Sequence, residues 1–399
     1  MASEQDSEEK QYSTSDNEGE SMKKRPSQYQ MFELSGRRAA RRVREEPRTS
    51  RWSSRWRVGV AGAVACGLLL AACSSSTAKP TSKSSAASKV AVTIGYENNG
   101  ADPSMVTVHN HYFQKELGSN VSLKLFTSGP TALSAIASGA LQFMCGIGLP
   151  PVISAIARGV PLVVVWNQER YTTDAGIVVK QSSGITSLAG LAGKTIAIDT
   201  GSESSFELPS LLAQKGISLA AVHQLTMTPP EMESAWQTGQ IQAATVWDPA
   251  FDYLIAHGGR VLATDASLPA NATSFNVCVA NTSFTSAHPS AAVDFVKAMQ
   301  DGVRYMASNP SQAMKDMESE AGISASTAQS ELKGYDIYDL ADQVTETVLG
   351  KGSGVATAGT TQSLTNNWKE LYKQGFITVP PPRDMAKYVD PVPAASALG

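Results

Sequence analysis

The sequence predicts an α/β protein with two lobes, each built on a mixed, mostly parallel β-sheet flanked by helices. Short β-branched apolar runs alternate with helix-length segments, a pattern typical of βαβ units and parallel sheets. The alternation begins near residue 90, restarts near residue 188, and gives way to a mainly helical last third. With 399 residues, of which 42% are hydrophobic, the chain has enough apolar material for one large two-lobed body.

In the first passage of this alternation, apolar runs predict strands and the segments between them predict helices. The run 90–94 is rich in Val and Ile and ends at Gly95, which favours a strand. Ser128-Gly129-Pro130 opens a helix, because a proline at a helix start has no hydrogen bond to lose. The predicted strands are 90–94, 122–126, 141–145 and 162–166, and the predicted helices are 106–117, 131–138 and 152–157.

The second passage repeats the pattern and then changes character. Beyond about residue 289 the apolar spacing is that of helices. No internal repeat of solenoid period is visible. The predicted strands are 194–198, 222–227, 243–247 and 275–280, and the predicted helices are 188–191, 204–214, 230–236, 289–307, 310–321, 325–335 and 360–374.

The N-terminal part of the chain has the composition of a leader. Residues 1–50 are charged and lack apolar periodicity, so we predict that they are disordered or that the start codon is placed too early. Residues 51–72 carry three arginines followed by an uncharged stretch from Val58 to Ala72. This stretch is shorter than the roughly 20 residues of a membrane span and suits a signal peptide.

The signal peptide ends in a motif that predicts lipid attachment. Leu70-Ala71-Ala72-Cys73 is similar to a bacterial lipobox, which predicts lipidation of Cys73 and anchoring on the outer face of the cell membrane. The alternative is an ordinary signal peptide with a chance cysteine. Residues 73–88 are rich in Ser, Ala, Lys and Thr and predict a flexible linker.

Charge and cysteine content exclude several classes of protein. Residues 1–72 hold 13 of the 33 Lys and Arg residues and 10 of the 36 Asp and Glu residues, so the remainder has a net charge of −6. An acidic body argues against nucleic-acid binding. Four cysteines in this length exclude a disulfide scaffold. We expect Cys145 and Cys278 to be buried thiols, with a mutual disulfide as the alternative.

Motifs for catalysis, cofactors and metals are not found. Gly193-Lys194-Thr195 lacks the earlier glycine of a phosphate-binding loop, since Leu188 stands at that position. No Gly-x-Ser-x-Gly elbow is present, and the five histidines show no metal-ligand spacing beyond one pair. We therefore predict no catalytic residues, no cofactor and no metal.

Polar residues at strand ends are the candidates for binding. Ser128-Gly129 and the stretch 200–205 each begin a predicted helix, where free N–H groups and the helix dipole favour an anion. Ordinary capping by serine is the alternative. Gly146-Ile147-Gly148 follows a strand, and it predicts either backbone N–H groups turned toward a ligand or only a tight turn.

Acidic and aromatic residues at other strand ends suggest the other half of a ligand. Trp247 and Asp248 close a predicted strand and could hold an apolar spacer and an ammonium group. The alternative is a Trp that packs a domain edge beside a capping Asp. Glu97 and Asp174 add two more acids, and amides together with acids suit a small zwitterion.

Three segments resemble a known family. These are 187–197 (SLAGLAGKTIA), 229–250 (with AWQTGQI and VWDPA) and 132–139 (ALSAIASG). They are similar to segments of the taurine-binding proteins of bacterial ABC importers, within the nitrate, sulfonate and thiamine-precursor group of solute-binding proteins. The similarity extends from about residue 90 to residue 389.

The resemblance implies a type II periplasmic-binding fold that closes over its ligand. It implies a first lobe of residues 89–175 and 277–390, a second lobe of residues 176–276, and a tail of residues 391–399. It also implies a monomer that delivers a small sulfonate to a permease and its ATPase. Taurine binders carry an acid on the strand returning from the second lobe, and here that position is Asn276.

The predicted function is therefore a lipid-anchored receptor for a taurine-like sulfonate, and three alternatives remain open. One is another solute of the group: an alkanesulfonate, a nitrate-like anion or a thiamine-pyrimidine precursor. A second is an enzyme resembling thiamine-pyrimidine synthase, and the third is a ligand-dependent partner of a sensor. The predicted ligand-binding residues are Glu97, Ser128, Gly129, Gly148, Asn167, Asp174, Gly201, Ser202, Ser204, Ser205, Trp247, Asp248 and Asn276.

Overall fold

The computed structural model describes residues 90–268 and 275–399, all of which belong to one unit, Ser82–Gly399. The predicted leader, the signal peptide, Cys73 and the linker to residue 88 lie outside the described residues. Within the described part of the chain, no helix is both long enough and apolar enough to cross a membrane.

Two β-sheets organise the described residues. The six-stranded sheet has the order β11-β4-β10-β3-β1-β2, and the five-stranded sheet has the order β7-β6-β8-β5-β9. The strands are β1 (Val92–Glu97), β2 (Val121–Phe126), β3 (Phe143–Ile147), β4 (Leu162–Tyr171), β5 (Ala175–Lys180), β6 (Thr195–Ile198), β7 (His223–Thr226), β8 (Ala243–Trp247), β9 (Gly259–Thr264), β10 (Asn276–Asn281) and β11 (Tyr335–Ile337).

Most strands of each sheet run in one direction, as predicted. In the six-stranded sheet β1, β2, β3 and β4 share a direction, and β10 and β11 oppose them. In the five-stranded sheet only β5 opposes the other four strands. We call the six-stranded sheet with its helices lobe A and the five-stranded sheet with its helices lobe B.

Helices cover both sheets, and α5, α6 and α7 belong to lobe B. The helices are α1 (Pro103–His109), α2 (Tyr112–Leu117), α3 (Gly129–Ala137), α4 (Leu149–Ala157), α5 (Ser204–Ala213), α6 (Pro229–Thr238), α7 (Ala250–Ala256), α8 (Thr282–Ala287), α9 (Pro289–Ser308), α10 (Pro310–Ala321), α11 (Ala325–Glu331), α12 (Leu340–Gln343), α13 (Gly359–Lys373) and α14 (Val392–Leu398).

Several predicted elements differ from the structure. The helix predicted for 106–117 is two helices, because His111 adopts a left-handed conformation between them. The helix predicted for 325–335 ends at Glu331, and Tyr335 pairs with β4 instead. The segment 188–191 forms a 3-10 helix. Strands β5 and β9 were not predicted.

The predicted boundaries also need correction at three points. Ala175 belongs to β5 in lobe B, and Asn276 belongs to β10 in lobe A, so the predicted lobe limits cut both strands by one residue. The predicted tail contains α14, which packs against α9 because it buries Pro393 and Ala394.

A disulfide bond joins two central strands of lobe A. Cys145 on β3 and Cys278 on β10 are bonded, with their Cα atoms 4.0 Å apart. The expectation of free buried thiols is therefore wrong, and the alternative is correct. Each cysteine stands in an apolar run, but the antiparallel pairing of β10 with β3 brings together residues 133 positions apart in the sequence.

Candidate ligand-binding cavity

A small cavity lies between the two lobes at the ends of their strands. Its volume is only ≈ 20 Å³, which is room for about one water molecule. The residues that line it are Glu97, Asn99, Gly129, Gly146, Gly148, Pro151, Tyr171, Ser202, Glu203, Trp247 and Asn276.

The strand topology explains why these residues meet. Glu97 is the last residue of β1 and Tyr171 the last residue of β4, while Gly148 follows the end of β3. Trp247 ends β8 in lobe B. Asn276 begins β10, which is antiparallel to its neighbours, so its first residue lies where theirs end. Ligands of open α/β sheets bind at this edge.

Glu97 and Glu203 are the carboxyl groups that line the cavity. None of the described residues that line it is Lys, Arg or His. Burial raises the pKa of the Glu97 carboxyl well above its ordinary value, and Asp199 and Asp102 nearby raise it further. A cavity of this kind disfavours a purely anionic solute and favours one that carries a positive group.

Asn276 is bound to another buried acid. Its side-chain amide donates a hydrogen bond to Oε1 of Glu169 at 2.8 Å. Burial raises the pKa of Glu169 well above its ordinary value, and Asp102 adds to the effect, whereas the Asn276 hydrogen bond opposes it. The resemblance implied an acid at position 276. The structure instead has an amide there, hydrogen-bonded to Glu169 of the adjacent strand β4.

Glu203 reaches across from lobe B to the start of α4 in lobe A. A Cβ atom placed on Gly148 would lie 2.3 Å from Oε2 of Glu203, so only glycine admits the carboxylate there. Glu203 is 8% exposed. A carboxylate at a helix N-terminus is favoured by the helix dipole, and this one occupies the end of α4 toward the cavity.

The serine-rich turn before α5 hydrogen-bonds to itself. The Gly201 amide donates to the Ser205 hydroxyl at 2.7 Å, and the Ser202 amide donates to the Asp199 carbonyl at 3.0 Å. The Ser204 amide donates to the Ser202 hydroxyl at 3.2 Å. In this structure these amides are engaged within the turn rather than open to an anion.

Aromatic side chains form one wall of the cavity region. Trp247 and Tyr171 line the cavity and cluster with Ala175 and Tyr335. The Tyr171 and Tyr335 rings lie with centroids 5.0 Å apart. Such a wall can pack against the apolar part of a small solute.

The structure brings some predicted residues to the cavity and leaves others outside it. Asn167 is taken up by lobe A, where its side chain donates to the Thr360 hydroxyl at 2.7 Å. Ser128 and Ser204 are buried next to the lining residues. The predicted residues that line the cavity are Glu97, Gly129, Gly148, Ser202, Trp247 and Asn276. Those that do not are Ser128, Asn167, Asp174, Gly201, Ser204, Ser205 and Asp248.

Gly201 and Ser205 line a neighbouring pocket instead. This pocket has a volume of ≈ 280 Å³ and is also lined by Ser154 of α4 and by Arg158, which follows α4. Asp174 and Asp248 belong instead to a group of neighbouring acids outside the lining of the cavity. The prediction that Asp248 contacts an ammonium group therefore has no support in the lining of the cavity.

Sequence reasoning missed five lining residues. Asn99, Gly146 and Glu203 stand inside stretches recognised as strand ends, so their signal was present. Tyr171 was missed because the predicted strand ended at residue 166. Pro151 lies just before the helix predicted for 152–157, and nothing in its position marked it as a lining residue.

Two α/β lobes that enclose a small cavity at their strand ends are the fold of periplasmic binding proteins. The sequence profile described as NMT1/THI5 like matches residues 98–313. The chain therefore belongs to the NMT1/THI5-like family.

Individual relatives agree with this assignment. The taurine-binding periplasmic protein of Escherichia coli K12 is 30% identical over 232 residues, which cover 58% of this chain and 71% of that protein. The structure of the alkanesulfonate-binding protein SsuA from Xanthomonas axonopodis pv. citri, bound to MOPS, superposes with a TM-score of 0.62 at 20% identity. It covers 75% of this chain and 98% of SsuA.

The same fold also occurs in an enzyme. The desulfurization enzyme DSZB superposes with a TM-score of 0.56 at 13% identity, covering 77% of this chain and 99% of the enzyme. At these identities the structural similarities define the fold alone.

Proposed function

We propose that this chain is the extracytoplasmic solute-binding protein of an ABC importer and that it captures a small sulfonate bearing an amine, such as taurine. The observation that carries the proposal is the interlobe cavity, whose lining includes Glu97, Glu203 and Trp247 but no basic side chain among the described residues. Family membership and the 30% identical taurine-binding relative support the same class of solute.

Each part of such a solute has a chemical counterpart in the lining. The ammonium group would be attracted to Glu97, which would ionise as the amine binds. The two-carbon spacer would pack on Trp247 and Tyr171. The sulfonate would take hydrogen bonds from lining amide groups, among them those of Asn99 and the helix start at Gly129.

Solute entry requires the lobes to separate. The space in the cavity is sufficient for about one water molecule, and a sulfonate is larger. Glu203 would withdraw from Gly148 when lobe B moves away, which frees the start of α4. A two-lobed receptor that opens, binds and closes makes and breaks no covalent bond.

The location and partners follow from the same proposal. The Cys145–Cys278 disulfide supports an oxidising compartment outside the cytoplasm. In this proposal the chain is a monomer anchored to the outer face of the membrane by lipid on Cys73, and it delivers solute to a permease and its ATPase.

A second solute class is favoured by the aromatic wall. Trp247, Tyr171 and Tyr335 beside buried acids would also suit a flat aromatic amine, such as a thiamine-pyrimidine precursor. A simple alkanesulfonate or a nitrate-like anion has no group that matches the acids.

Calorimetry with the full chain tests the proposal. We expect taurine to bind at least about tenfold more tightly than ethanesulfonate, because only taurine has the ammonium group. Glu97→Gln should weaken taurine binding about tenfold or more and narrow this gap, whereas Glu318→Gln, an exposed control on α10, should change neither. Equal affinity for both sulfonates would contradict the amine assignment, and binding of an aminopyrimidine alone would favour the second class.

A further inference from the structure

Four carboxylates from both lobes converge beside the cavity. Asp248 follows β8 and Asp252 lies in the first turn of α7, both in lobe B, whereas Glu331 ends α11 in lobe A. Asp174 lies in the segment that crosses between the lobes. One oxygen from each of Asp248, Asp252 and Glu331 lies within 4.8 Å of the other two. We call these four residues the carboxylate cluster.

Three of these carboxylates are each held by one oxygen and leave the other without a protein partner. Oδ1 of Asp248 accepts a hydrogen bond from the Asp252 amide at 3.0 Å, and Oε2 of Glu331 accepts one from the Ala101 amide at 2.6 Å. Oδ1 of Asp174 faces the Thr173 hydroxyl at 3.4 Å. The second oxygen of all three is buried and has no hydrogen-bond partner in the described part of the chain.

Burial without a partner is costly for such groups. Asp248 and Glu331 are both 0% exposed, and Asp174 is 7% exposed. A buried carboxylate oxygen without a donor loses its hydration and gains nothing in return. Native proteins rarely leave several such oxygens together unless a proton or an ion compensates them.

The charged groups that act on the cluster are acidic. Burial raises the pKa of Glu331 to about 8, and Asp252, Asp174 and Asp102 raise it as well, against the hydrogen bond from Ala101. Burial raises the pKa of Asp174 to about 7, and Asp252 adds to it. No described Lys, Arg or His forms an ion pair with a member of the cluster.

Two glycines bring the backbone of lobe A close to the cluster. A Cβ atom on Gly334 would lie 1.5 Å from Oδ2 of Asp174. A Cβ atom on Gly100, whose φ is +75°, would lie 2.3 Å from Oε2 of Glu331. A groove of ≈ 620 Å³ between the lobes reaches Asp252, which is half-buried and gives the cluster a path to solvent.

We propose that the carboxylate cluster is a divalent-cation site of the calcium type, formed by residues of both lobes. Ca²⁺ prefers carboxylate and carbonyl oxygens, whereas Zn²⁺ prefers the nitrogen and sulfur ligands that this cluster lacks. Two oxygens on opposite sides of Ca²⁺, each about 2.4 Å from it, lie about 4.8 Å apart. One oxygen of each of Asp248, Asp252 and Glu331 lies within this distance of the other two, so the three can reach one ion.

A cation at this position would act on lobe closure. Asp248 and Asp252 belong to lobe B and Glu331 to lobe A, so the complete ligand set exists only when the lobes are together. A cation that binds the closed form stabilises it and therefore tightens the binding of a solute in the cavity. By linkage, the solute tightens the binding of the cation by the same factor. This effect on the solute rests on the proposed function, but cation binding itself does not.

Chelator-treated full chain, without solute, provides the first test. We expect Ca²⁺ at about 100 times its dissociation constant to raise the midpoint of thermal unfolding by about 5 °C. Tb³⁺ should bind the same site, with luminescence sensitised by Trp247, and Ca²⁺ should displace it. Absence of a saturable response to both ions, or a larger response to Zn²⁺ than to Ca²⁺, would overturn the proposal.

Variants place the response at the cluster. Asp252→Asn and Glu331→Gln should each reduce Ca²⁺ affinity about tenfold or more, whereas Glu207→Gln, a buried acid elsewhere in lobe B, should leave it unchanged. Asp252 is half-buried, so its variant keeps the test valid should Glu331→Gln fail to fold. An unchanged Ca²⁺ response in Asp252→Asn would overturn the site.

Titration of taurine with and without Ca²⁺ separates the two proposals. Tighter taurine binding with Ca²⁺ is the expected result. Ca²⁺ binding without any effect on taurine affinity would overturn the coupling. Ca²⁺ binding to a chain that binds no taurine would overturn the proposed solute and leave the cation site intact.

Discussion

Two groups of buried acids in this molecule meet the cost of burial in different ways. Glu207 on α5 and Asp265 after β9 face each other within lobe B, and each is at most 3% exposed. They share a hydrogen bond, and burial raises the pKa of Asp265 to about 7 and that of Glu207 well above its ordinary value. One proton between the two carboxyls links the pair, while Oε1 of Glu207 and Oδ1 of Asp265 are buried without a hydrogen-bond partner in the described part of the chain.

The carboxylate cluster differs from this pair. Its members come from two lobes, and three of its buried oxygens have no protein donor in the described part of the chain. The comparison teaches that burial of acids alone does not indicate a ligand. Buried oxygens without partners occur in both groups, so the informative difference is that the acids of the cluster are contributed by two lobes.

The largest effect we expect concerns pH and the internal pair. Because the folded pKa of Asp265 is raised above its unfolded value, the stability it contributes is full below about pH 4 and is lost as pH rises through about 7. This loss should be on the order of 3 kcal/mol for Asp265. Asp265→Asn, whose amide oxygen can still accept from Glu207, should therefore lose less stability than wild type between pH 4 and pH 7.5.

Urea denaturation at both pH values measures this effect. The difference between wild type and variant isolates Asp265 from the other titrating acids. Glu318→Gln on the surface of α10 serves as the control and should keep the wild-type slope. Identical slopes for wild type and Asp265→Asn would show that the pair does not hold its proton in the folded state.

A smaller effect should follow from crowding the cluster. Gly334→Ala places a Cβ atom against the buried Asp174 carboxylate and should lower the free energy of unfolding by about 1–3 kcal/mol. Gly354→Ala is the matched control, because its nearest neighbour beyond the adjacent residues is Glu346 at 3.9 Å. It should change stability by less than about 0.5 kcal/mol. Equal midpoints in denaturant for the two variants would mean that Asp174 is free to move.

The smallest effect should come from an acid that is not buried. Asp336 forms an ion pair with Arg170 between β11 and β4, where their side chains are 51% and 35% exposed. Asp336→Ala should change the free energy of unfolding by at most about 1 kcal/mol, because solvent screens such pairs. A loss of unfolding free energy comparable to that of Gly334→Ala would imply that the contribution of an acid to stability depends on its ion pair rather than on its burial.

Local sequence patterns predicted most of the secondary structure but misjudged polar strands. The β-branched runs at 92–97 and 243–247 form strands because their apolar side chains are buried. The apolar run of β4 ends at Trp166, but the strand continues through Asn167, Gln168 and Glu169 to Tyr171. Pairing with β10 on one side and β11 on the other keeps these polar residues in the sheet. The local sequence of β4 contains no pattern that predicts this pairing with strands distant in the chain.

The cavity was predictable only to the extent that it uses strand ends. Glu97 and Trp247 stand at strand ends that the sequence marks, so they were found. Glu203 meets Gly148 only because the residue before α5 of lobe B contacts the residue before α4 of lobe A, and Glu331 meets Asp248 across 83 residues of chain. Serine turns suited both an anion site and a cap, and in the structure the amides of Gly201 and Ser204 bond within the turn.

The disulfide turns the stretch between Cys145 and Cys278 into a covalently closed ring that contains all of lobe B. The chain enters lobe B from β4 and returns from it into β10, and these are neighbouring strands of lobe A. A single backbone break within the ring would leave one molecule rather than two. In the proposed opening and closing of the lobes, the disulfide would keep β3 and β10 of lobe A joined.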